Sequence, residues 1–282
     1  NMPLKDTGMS RAPNVVHFIY PHTERTRPWS VINTLAVRLA MKHHDGPIKI
    51  WTNDPSKIPL PENHEQTARI LIVQVDLPTH LDGVEIYWPQ YIADVMRLQI
   101  LHEEGGIYMD TDMLLLKPLH EYLTDKLVLS WEVASRESIS NALMISPAKN
   151  AFIAEWLRRM PEALQSYTWA TGGVILPEQL SNLPELEPTR TILPHTFCCP
   201  LDLSQPWLFD PKLKGPAKER VFGSTAIHVF ETYWRDYIAR INLSDDHLLR
   251  ELLEPFNNVS CETFHAISSL MAGLAGEILG AH

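Results

Sequence analysis

Four charged side chains in one short stretch have the types and spacing to bind a cation and an anionic ligand. Asp94 and Arg97 are three residues apart in a predicted helix, so they share one face of it. Asp110 and Asp112 follow a short apolar run, and side chains two residues apart on extended backbone point to the same side. Two such carboxylates can share one hard divalent ion, Mn²⁺ or Mg²⁺. Water and substrate phosphates then complete the coordination shell of this ion. The stretch therefore predicts a metal site next to a fixed positive charge.

The elements around these four residues must bring them together. A helix is predicted from Pro89, whose missing N–H suits a first helical turn. Gly105 and Gly106 end this helix, because glycine tolerates the left-handed backbone of a cap. Residues 107–109 then read as a buried strand that delivers the two aspartates. An isolated D-x-D occurs about once by chance in a chain of this composition, but an apolar strand has no packing reason to end in two acids beside a double glycine.

The whole stretch resembles the D-x-D region of glycosyltransferase family 32 and the related glucosyltransferase domains of large bacterial toxins. Residues 93–112 carry it as A-D-x-x-R-x-x-x-L-x-x-x-G-G-I-Y-x-D-x-D. The resemblance implies a GT-A fold, an α/β sandwich that binds nucleotide sugars, and sugar transfer with retention at the anomeric carbon. It implies that Asp94 and Arg97 hold the donor sugar and diphosphate, that Asp110 faces ribose and metal, and that Asp112 binds the metal. Ala93 departs from the family, which commonly has serine there.

Two aromatic residues are candidates for binding the nucleotide. Tyr20 ends the first predicted strand, residues 14–20, and the resemblance implies that this strand end lies near the base. The alternative for Tyr20 is a surface aromatic on a core strand. Trp51 lies near the end of the second predicted strand, residues 48–52, and the carboxyl ends of parallel strands are where such folds bind ligands.

Three later segments also resemble the family. Asn141 begins the strand N-A-L-M-I-S and would face the donor or acceptor sugar, with the capping of a turn as the alternative. Gly172 and Gly173 occupy the family's Thr-Gly-Pro segment, although Gly173 replaces the proline; a glycine pair permits close approach to a ligand or makes a tight turn. His228 is the implied third metal or phosphate contact, and Trp234 the implied wall of the donor pocket. Without the resemblance, a lone histidine after a strand is more often a core residue.

Alternating strand and helix patterns predict an α/β fold with a largely parallel sheet. We expect one GT-A type Rossmann-like domain over residues 14–240, after a flexible lead-in at 1–13. A C-terminal helical extension, residues 241–282, is expected to pack on it. Its amphipathic helix at 262–279 predicts core packing, with an interface to a second copy or a membrane surface as the less favoured alternative. The proline-rich residues 177–220 are the predicted acceptor-recognition loops.

Composition excludes some partners. A formal net charge of −10 without a basic cluster argues against nucleic acid, and no apolar run is long enough to span a bilayer. The three cysteines form no even disulfide framework, which favours a reducing compartment and a cytoplasmic location. An N-terminal anchor ahead of residue 1 would instead place the protein in the lumen of the endoplasmic reticulum or Golgi.

The sequence alone does not identify the sugar donor or the acceptor. The toxin-like D-x-x-R context favours a UDP-sugar, with GDP-mannose and a mannosyltransferase as the alternative, and the acceptor can be a glycan, lipid, protein or small molecule. A catalytically silent sugar-nucleotide binding module is the main rival. A metal-dependent phosphohydrolase needs a second ligand cluster, and a glycoside hydrolase needs two opposed carboxylates, so the sequence favours neither.

Overall fold

The computed structural model describes residues 10–59, 68–166, 170–241 and 245–254. Its largest element is a seven-stranded sheet, whose strands are β1 Val16–Ile19, β2 Ile48–Thr52, β3 Ile70–Gln74, β6 Gly106–Met109, β8 Leu127–Trp131, β9 Ile139–Ser146 and β10 Arg190–Leu193. Their order across the sheet is β10-β8-β9-β6-β1-β2-β3. Four neighbouring strands, β6, β1, β2 and β3, run parallel, and β9 runs antiparallel to both of its neighbours. The predicted α/β fold with a largely parallel sheet is confirmed.

The direction of the strands creates one edge where polar residues collect. The parallel strands β1, β2 and β6 all end there, so Tyr20, Asn53 and Asp110 emerge together. Because β9 is antiparallel, it begins at this same edge, and the Asp110 N–H donates to the Ala142 carbonyl over 2.8 Å. The sheet therefore brings the start of β9 next to the end of β6.

Helices cover the sheet. The long helices are α1 Val31–His43, α2 Pro89–Glu103 and α3 Ala151–Gln165. The side chains of α2 and α3 form one core cluster with β6, β8 and β9 that includes Leu98, Leu101, Tyr108, Phe152 and Trp156. All four residues of β1 are buried, as expected of a central parallel strand covered on both faces.

Besides several 3₁₀ helices, the described chain contains further short elements. They are the helices α4 Leu176–Ser181, α5 Lys214–Val221, α6 Glu231–Ile238 and α7 Leu248–Leu253, the paired strands β4 His80–Leu81 and β5 Val84–Glu85, and the strands β7 Met113–Leu115 and β11 Ala226–His228, which pair with each other. Residues 171–175 form a π-helical turn.

Residues 77–83 contain the β4 strand and the turn of a hairpin, in which Asp82 and Gly83 both have positive φ, as an Asp-Gly hairpin turn requires. Residues 177–220, expected to be loops, contain β10, which pairs in parallel with β8 from Arg190 opposite Leu127 to Leu193 opposite Ser130. This proline-rich segment thus extends the central sheet.

The described chain forms two compact units. The larger comprises the described residues up to Cys199 together with Ser224–Ile227, and the smaller comprises Pro200–Gly223 and the described residues from His228 onward. The predicted helix at 262–279 lies outside the described residues, as does most of the lead-in. Within the described part, no helix combines the length and apolarity needed to cross a membrane.

Candidate active site

Helix α2 positions the first two predicted site residues. Its apolar residues at spacings of three and four are buried against the sheet, which turns the face with Asp94 and Arg97 toward the polar edge. Arg97 Nη2 lies 3.1 Å from Asp94 Oδ1, and the two residues are only 5% and 8% exposed. Their ion pair is therefore shielded from solvent, where it is stronger than a surface pair.

Arg97 links three parts of the chain. Its Nη1 lies 3.3 Å from Asp110 Oδ1 and donates to the Asn141 carbonyl over 2.8 Å. Its guanidinium carbon lies 4.4 Å from the centre of the Tyr108 ring. Burial acts to lower the pKa of Arg97, but the nearby Asp110, Tyr108 and Asp94 outweigh burial and raise this pKa. In this structure Arg97 thus holds two carboxylates and the start of β9 in place.

Asp94 is the most deeply enclosed acid of the site. It accepts a hydrogen bond of 2.9 Å from Asn141 Nδ2 on the same oxygen that pairs with Arg97. Burial raises the pKa of Asp94, and the adjacent Arg97 only partly offsets this effect. Asn141 lies in strand β9, so the turn-capping alternative does not describe it.

The two aspartates of the D-x-D motif lie in a turn, which corrects the expectation of extended backbone. The Met113 N–H donates to the Asp110 carbonyl over 2.9 Å, which closes a tight turn between β6 and β7. Asn33 Nδ2 donates to the Thr111 carbonyl over 3.0 Å, and Asn33 also forms the capping box of α1 with Ser30. The first turn of α1 therefore supports the D-x-D turn.

Three potential metal ligands cluster at this turn. One ligand atom each of Asp110, Asp112 and His228 lies within 4.8 Å of the others. Ligands about 2.0–2.2 Å from one ion are at most slightly above 4 Å apart, so small side-chain rotations suffice for a shared ion. Two carboxylates and an imidazole suit a divalent ion that accepts both oxygen and nitrogen, as Mn²⁺ does. The donor set thus fits the predicted metal.

His228 reaches this cluster through strand β11. The preceding Ala226 and Ile227 belong to the larger unit and their strand pairs with β7, which directly follows the D-x-D turn. The Leu116 N–H also donates to the Thr225 carbonyl over 2.8 Å. The chain between Thr225 and His228 therefore runs beside the strand that leaves the aspartates.

The two glycines of the π-helical turn contact other site residues. A Cβ on Gly173 would lie 2.5 Å from Asn141 Nδ2 and 3.1 Å from Asp94 Oδ2. The Gly172 carbonyl accepts a hydrogen bond of 2.8 Å from the buried Trp156 indole. The structure therefore favours close approach over a tight turn as the role of the two glycines. The groups that they approach are protein side chains.

The two nucleotide candidates differ in their surroundings. Tyr20 is 6% exposed, donates its hydroxyl to the Arg27 carbonyl and packs edge-on against Trp29. Trp51 is partly exposed, and its indole N–H donates to His17 Nδ1 over 3.1 Å. The base-stacking role stays a prediction for both residues. Of the two, Trp51 has the larger exposed surface on which a base could stack. Trp234 lies on α6 in the smaller unit, so its predicted role as a wall of the donor pocket stays a prediction.

Sequence reasoning missed two residues at this site. Tyr108 is 1% exposed and donates its hydroxyl to Asp110 Oδ1 while its ring lies under Arg97. Its position two residues before Asp110 was the available signal. Asn33 was missed although Ser30 three residues earlier forms a capping pattern, because nothing local indicates its bond to Thr111.

Comparisons with known proteins point to the same region. Residues 31–129 match the family described as "Glycosyltransferase sugar-binding region containing DXD motif". The chain is 24% identical over 203 residues to Glucan organizing enzyme 1 of Cryptococcus neoformans var. grubii serotype A, covering 66% of this chain and 54% of that protein. The chain thus spans about half the length of this curated relative.

Two solved structures are similar in part. PaToxG Glycosyltransferase is 17% identical with a TM-score of 0.47, over 61% of this chain and 69% of its own. The glycosyltransferase GlyE of Streptococcus pneumoniae TIGR4 is 10% identical with a TM-score of 0.44, over 80% of this chain and 60% of its own. The resemblance seen in the sequence is confirmed by this family match, because residues 31–129 include the D-x-D motif that carries the resemblance.

Proposed function

We propose that the protein is a metal-dependent retaining glycosyltransferase that moves a sugar from a nucleoside diphosphate donor to a hydroxyl acceptor. The observation that carries this proposal is the cluster of Asp110, Asp112 and His228 next to the buried group of Asp94, Arg97 and Asn141. A diphosphate leaving group needs charge neutralisation, and a donor sugar needs fixed polar partners. The cluster of Asp110, Asp112 and His228 would neutralise the diphosphate through a bound metal ion. The buried group of Asp94, Arg97 and Asn141 would provide fixed polar partners for the donor sugar.

The metal ligands would act on the leaving group. Asp110, Asp112 and His228 would hold a divalent ion, which supplies Lewis-acid stabilisation of the diphosphate when bound. Arg97 lies 3.3 Å from Asp110 and would keep that carboxylate oriented. Its positive charge also adds to the potential at the site, although its side chain is only 6% exposed.

Asp94 and Asn141 would hold the donor sugar. They are joined by a hydrogen bond of 2.9 Å, so the carboxylate and the amide are fixed relative to each other before any sugar binds. Sugar hydroxyls both donate and accept, and this pair supplies an acceptor beside a donor. Such fixed partners orient the anomeric carbon and lower the entropic part of the barrier.

The favoured donor is a UDP-sugar, and GDP-mannose is the alternative. Trp51 supports binding of a nucleotide base, because its indole is partly exposed and is fixed by its hydrogen bond to His17. Stacking does not discriminate between uracil and guanine, so the donor must be identified by measurement.

The decisive experiment incubates the protein with a panel of UDP- and GDP-sugars and Mn²⁺, and follows nucleotide release and thermal stabilisation with and without EDTA. Release from one donor that EDTA abolishes supports the proposal and identifies the sugar. Thermal stabilisation without release, even with a broad acceptor mixture, contradicts it in favour of a silent sugar-nucleotide binding module.

Asp112→Asn provides the matched test of the metal site. We expect turnover to fall on the order of a hundredfold or more, because several kcal/mol of transition-state stabilisation would be lost. Asp125→Asn changes an exposed aspartate elsewhere in the chain and is the control, with turnover unchanged. Equal turnover of Asp112→Asn and wild type would remove Asp112 from the mechanism.

A further inference from the structure

One peptide group in the D-x-D turn decides the direction in which the Asp112 side chain leaves the backbone. Asp110 is the first residue of this turn and Met113 is the fourth, because the Met113 N–H donates to the Asp110 carbonyl over 2.9 Å. The central peptide group of the turn therefore joins Thr111 to Asp112. Rotation of a central peptide group converts a type I turn into a type II turn, in which the third residue has positive φ.

The orientation of this peptide group is that of a type I turn. The φ of Asp112 is negative, whereas a type II turn requires positive φ at the third position. Aspartate tolerates positive φ better than most side chains do, because its short carboxylate can bond to the local backbone. The sequence of the turn therefore opposes the other orientation only weakly, and a contact from outside the turn can decide between the two.

Asn33 makes such a contact from helix α1. Its Nδ2 donates to the Thr111 carbonyl over 3.0 Å, and this carbonyl belongs to the central peptide group of the turn. Rotation of the peptide group would point the carbonyl away from Asn33 and break this hydrogen bond. Asn33 is only 4% exposed, so water cannot readily replace a partner that it loses.

The amide of Asn33 is itself held in one orientation. Its Oδ1 accepts from the Ser30 N–H over 2.9 Å, and the Asn33 backbone N–H donates to Ser30 Oγ over 3.1 Å. An amide oxygen accepts and an amide nitrogen donates, so a single assignment of the Asn33 amide satisfies both Ser30 and Thr111. The first turn of α1 thus presents a fixed donor to the D-x-D turn.

We propose that Asn33 is a positioning residue of the metal site. By holding the peptide group between Thr111 and Asp112, it keeps the Asp112 carboxylate beside the other two candidate metal ligands. This inference rests on the proposed function, because it concerns the metal ligands of that reaction. Asn33 acts through the backbone of the turn, whereas Tyr108 bonds directly to the carboxylate of Asp110.

Asn33→Asp tests this role. Its carboxylate can still accept from the Ser30 N–H, and an acidic residue suits the first turn of a helix, so α1 should remain folded. The ionised carboxylate cannot donate to the Thr111 carbonyl. We expect the Kd for Mn²⁺, measured by electron paramagnetic resonance, to rise about 10- to 100-fold. The added negative charge alone would tighten Mn²⁺ binding, so weaker binding reports the lost donor.

Ser30→Ala is the matched control. It removes the hydroxyl that caps α1 but keeps the Ser30 backbone N–H that holds the Asn33 amide. Its urea denaturation midpoint should fall, because a helix cap is lost, while its Kd for Mn²⁺ should equal that of wild type. Asn33→Ala loses both contacts and should show both effects. In donor turnover, saturating Mn²⁺ should restore most of kcat in Asn33→Asp, because the defect lies in metal affinity.

The outcomes separate this inference from the proposed function. Wild-type Mn²⁺ affinity in Asn33→Asp, or an equal loss of affinity in Ser30→Ala, overturns the positioning role of Asn33 and leaves the proposed function intact. Absence of Mn²⁺ binding by the wild-type protein overturns the proposed metal site together with this inference.

Discussion

The phenol of Tyr108 contacts two charged residues at the candidate site. Its hydroxyl donates to Asp110 Oδ1, and its ring lies under the Arg97 guanidinium. Burial raises the pKa of Tyr108 well above its usual range, so the hydroxyl keeps its proton and remains a donor. Tyr108 therefore orients the carboxylate of a proposed metal ligand.

Tyr108→Phe should lower Mn²⁺ affinity about 10- to 100-fold, as expected when a partner that orients a ligand is lost. The aromatic ring remains, so the fold and the contact with Arg97 should persist. Activity titrated with Mn²⁺ and Mn²⁺ binding followed by electron paramagnetic resonance measure the effect. Tyr122→Phe, on the connector after β7, is the control. An unchanged Mn²⁺ requirement in Tyr108→Phe would contradict the orienting role.

His17 anchors Trp51 as a neutral imidazole. It accepts from the Trp51 indole at Nδ1, and its Nε2 lies 2.9 Å from the Gly105 carbonyl, which only a protonated Nε2 can satisfy. Burial lowers the pKa of His17 to about 4. Between this value and the ordinary 6.5, the unfolded chain takes up a proton that the folded chain does not, so stability falls on acidification.

The free energy of unfolding should therefore fall by about 2 kcal/mol through His17 alone when the pH drops from 7 to 5. Urea denaturation at both pH values measures this loss. His17→Gln, which does not titrate, should reduce the loss by that amount, whereas His80→Gln, at an exposed position, should not. Equal losses in wild type and His17→Gln would show that another group is responsible.

At the scale of elements, the π-helical turn at 171–175 closes the site from one side. Its position is set by Gly173, whose backbone lies so close to Asn141 and Asp94 that any side chain collides with them. A π-turn widens the helix locally and is frequent at functional sites. The turn thus constrains the two groups proposed to hold the donor sugar.

Gly173→Ala should destabilise the protein by about 1–3 kcal/mol through overpacking. It should also reduce turnover up to about a hundredfold, because small displacements of positioning groups are costly in catalysis. Gly215→Ala, where an added Cβ meets nothing within 4 Å, is the control. Chemical denaturation and donor turnover measure the two effects; full turnover in Gly173→Ala would separate this turn from the sugar site.

Most elements could be predicted from local pattern, and the exceptions have a physical reason. Strand β2 has the predicted bounds, since it is a compact run rich in β-branched and apolar residues. Strand β10 could not be recognised, because its residues are Arg190 to Leu193 with no buried member, and pairing with the distant β8 decides its conformation. The turn at the D-x-D motif was likewise missed, since its closure depends on the chain entering β7.

At the scale of the whole molecule, the candidate site is assembled from segments far apart in sequence. The charged residues of α2 and β6 were predictable together because they lie in one stretch with a recognisable motif. Asn141 and His228 were predicted by resemblance, since local pattern does not show that β9 runs antiparallel or that β11 pairs with β7. Contacts such as that of Asn33 with Thr111 require the tertiary structure.

Metal binding should stabilise the folded protein, because the unfolded chain does not hold the three ligands together. At a Mn²⁺ concentration about 100 times Kd, linkage adds about 2.7 kcal/mol to the free energy of unfolding. Thermal melts with Mn²⁺ and with EDTA measure this gain. Asp112→Asn should lose most of it and Asp125→Asn should retain it. An equal gain in both variants would place the bound ion elsewhere.

The position of β1 in the interior of the sheet, between β6 and β2, affects how the chain acquires its site during synthesis. Val16 pairs with Ile48 on one side and with Ile107 on the other, so the first strand made waits for residues from two later segments. Pairings between such distant segments form slowly, because a long loop must close first. On the ribosome, β1 and β2 can pair early, and the edge awaiting β6 is then left open to other chains. The D-x-D turn follows β6 directly, so the capacity to bind metal should appear only after that open edge has been filled.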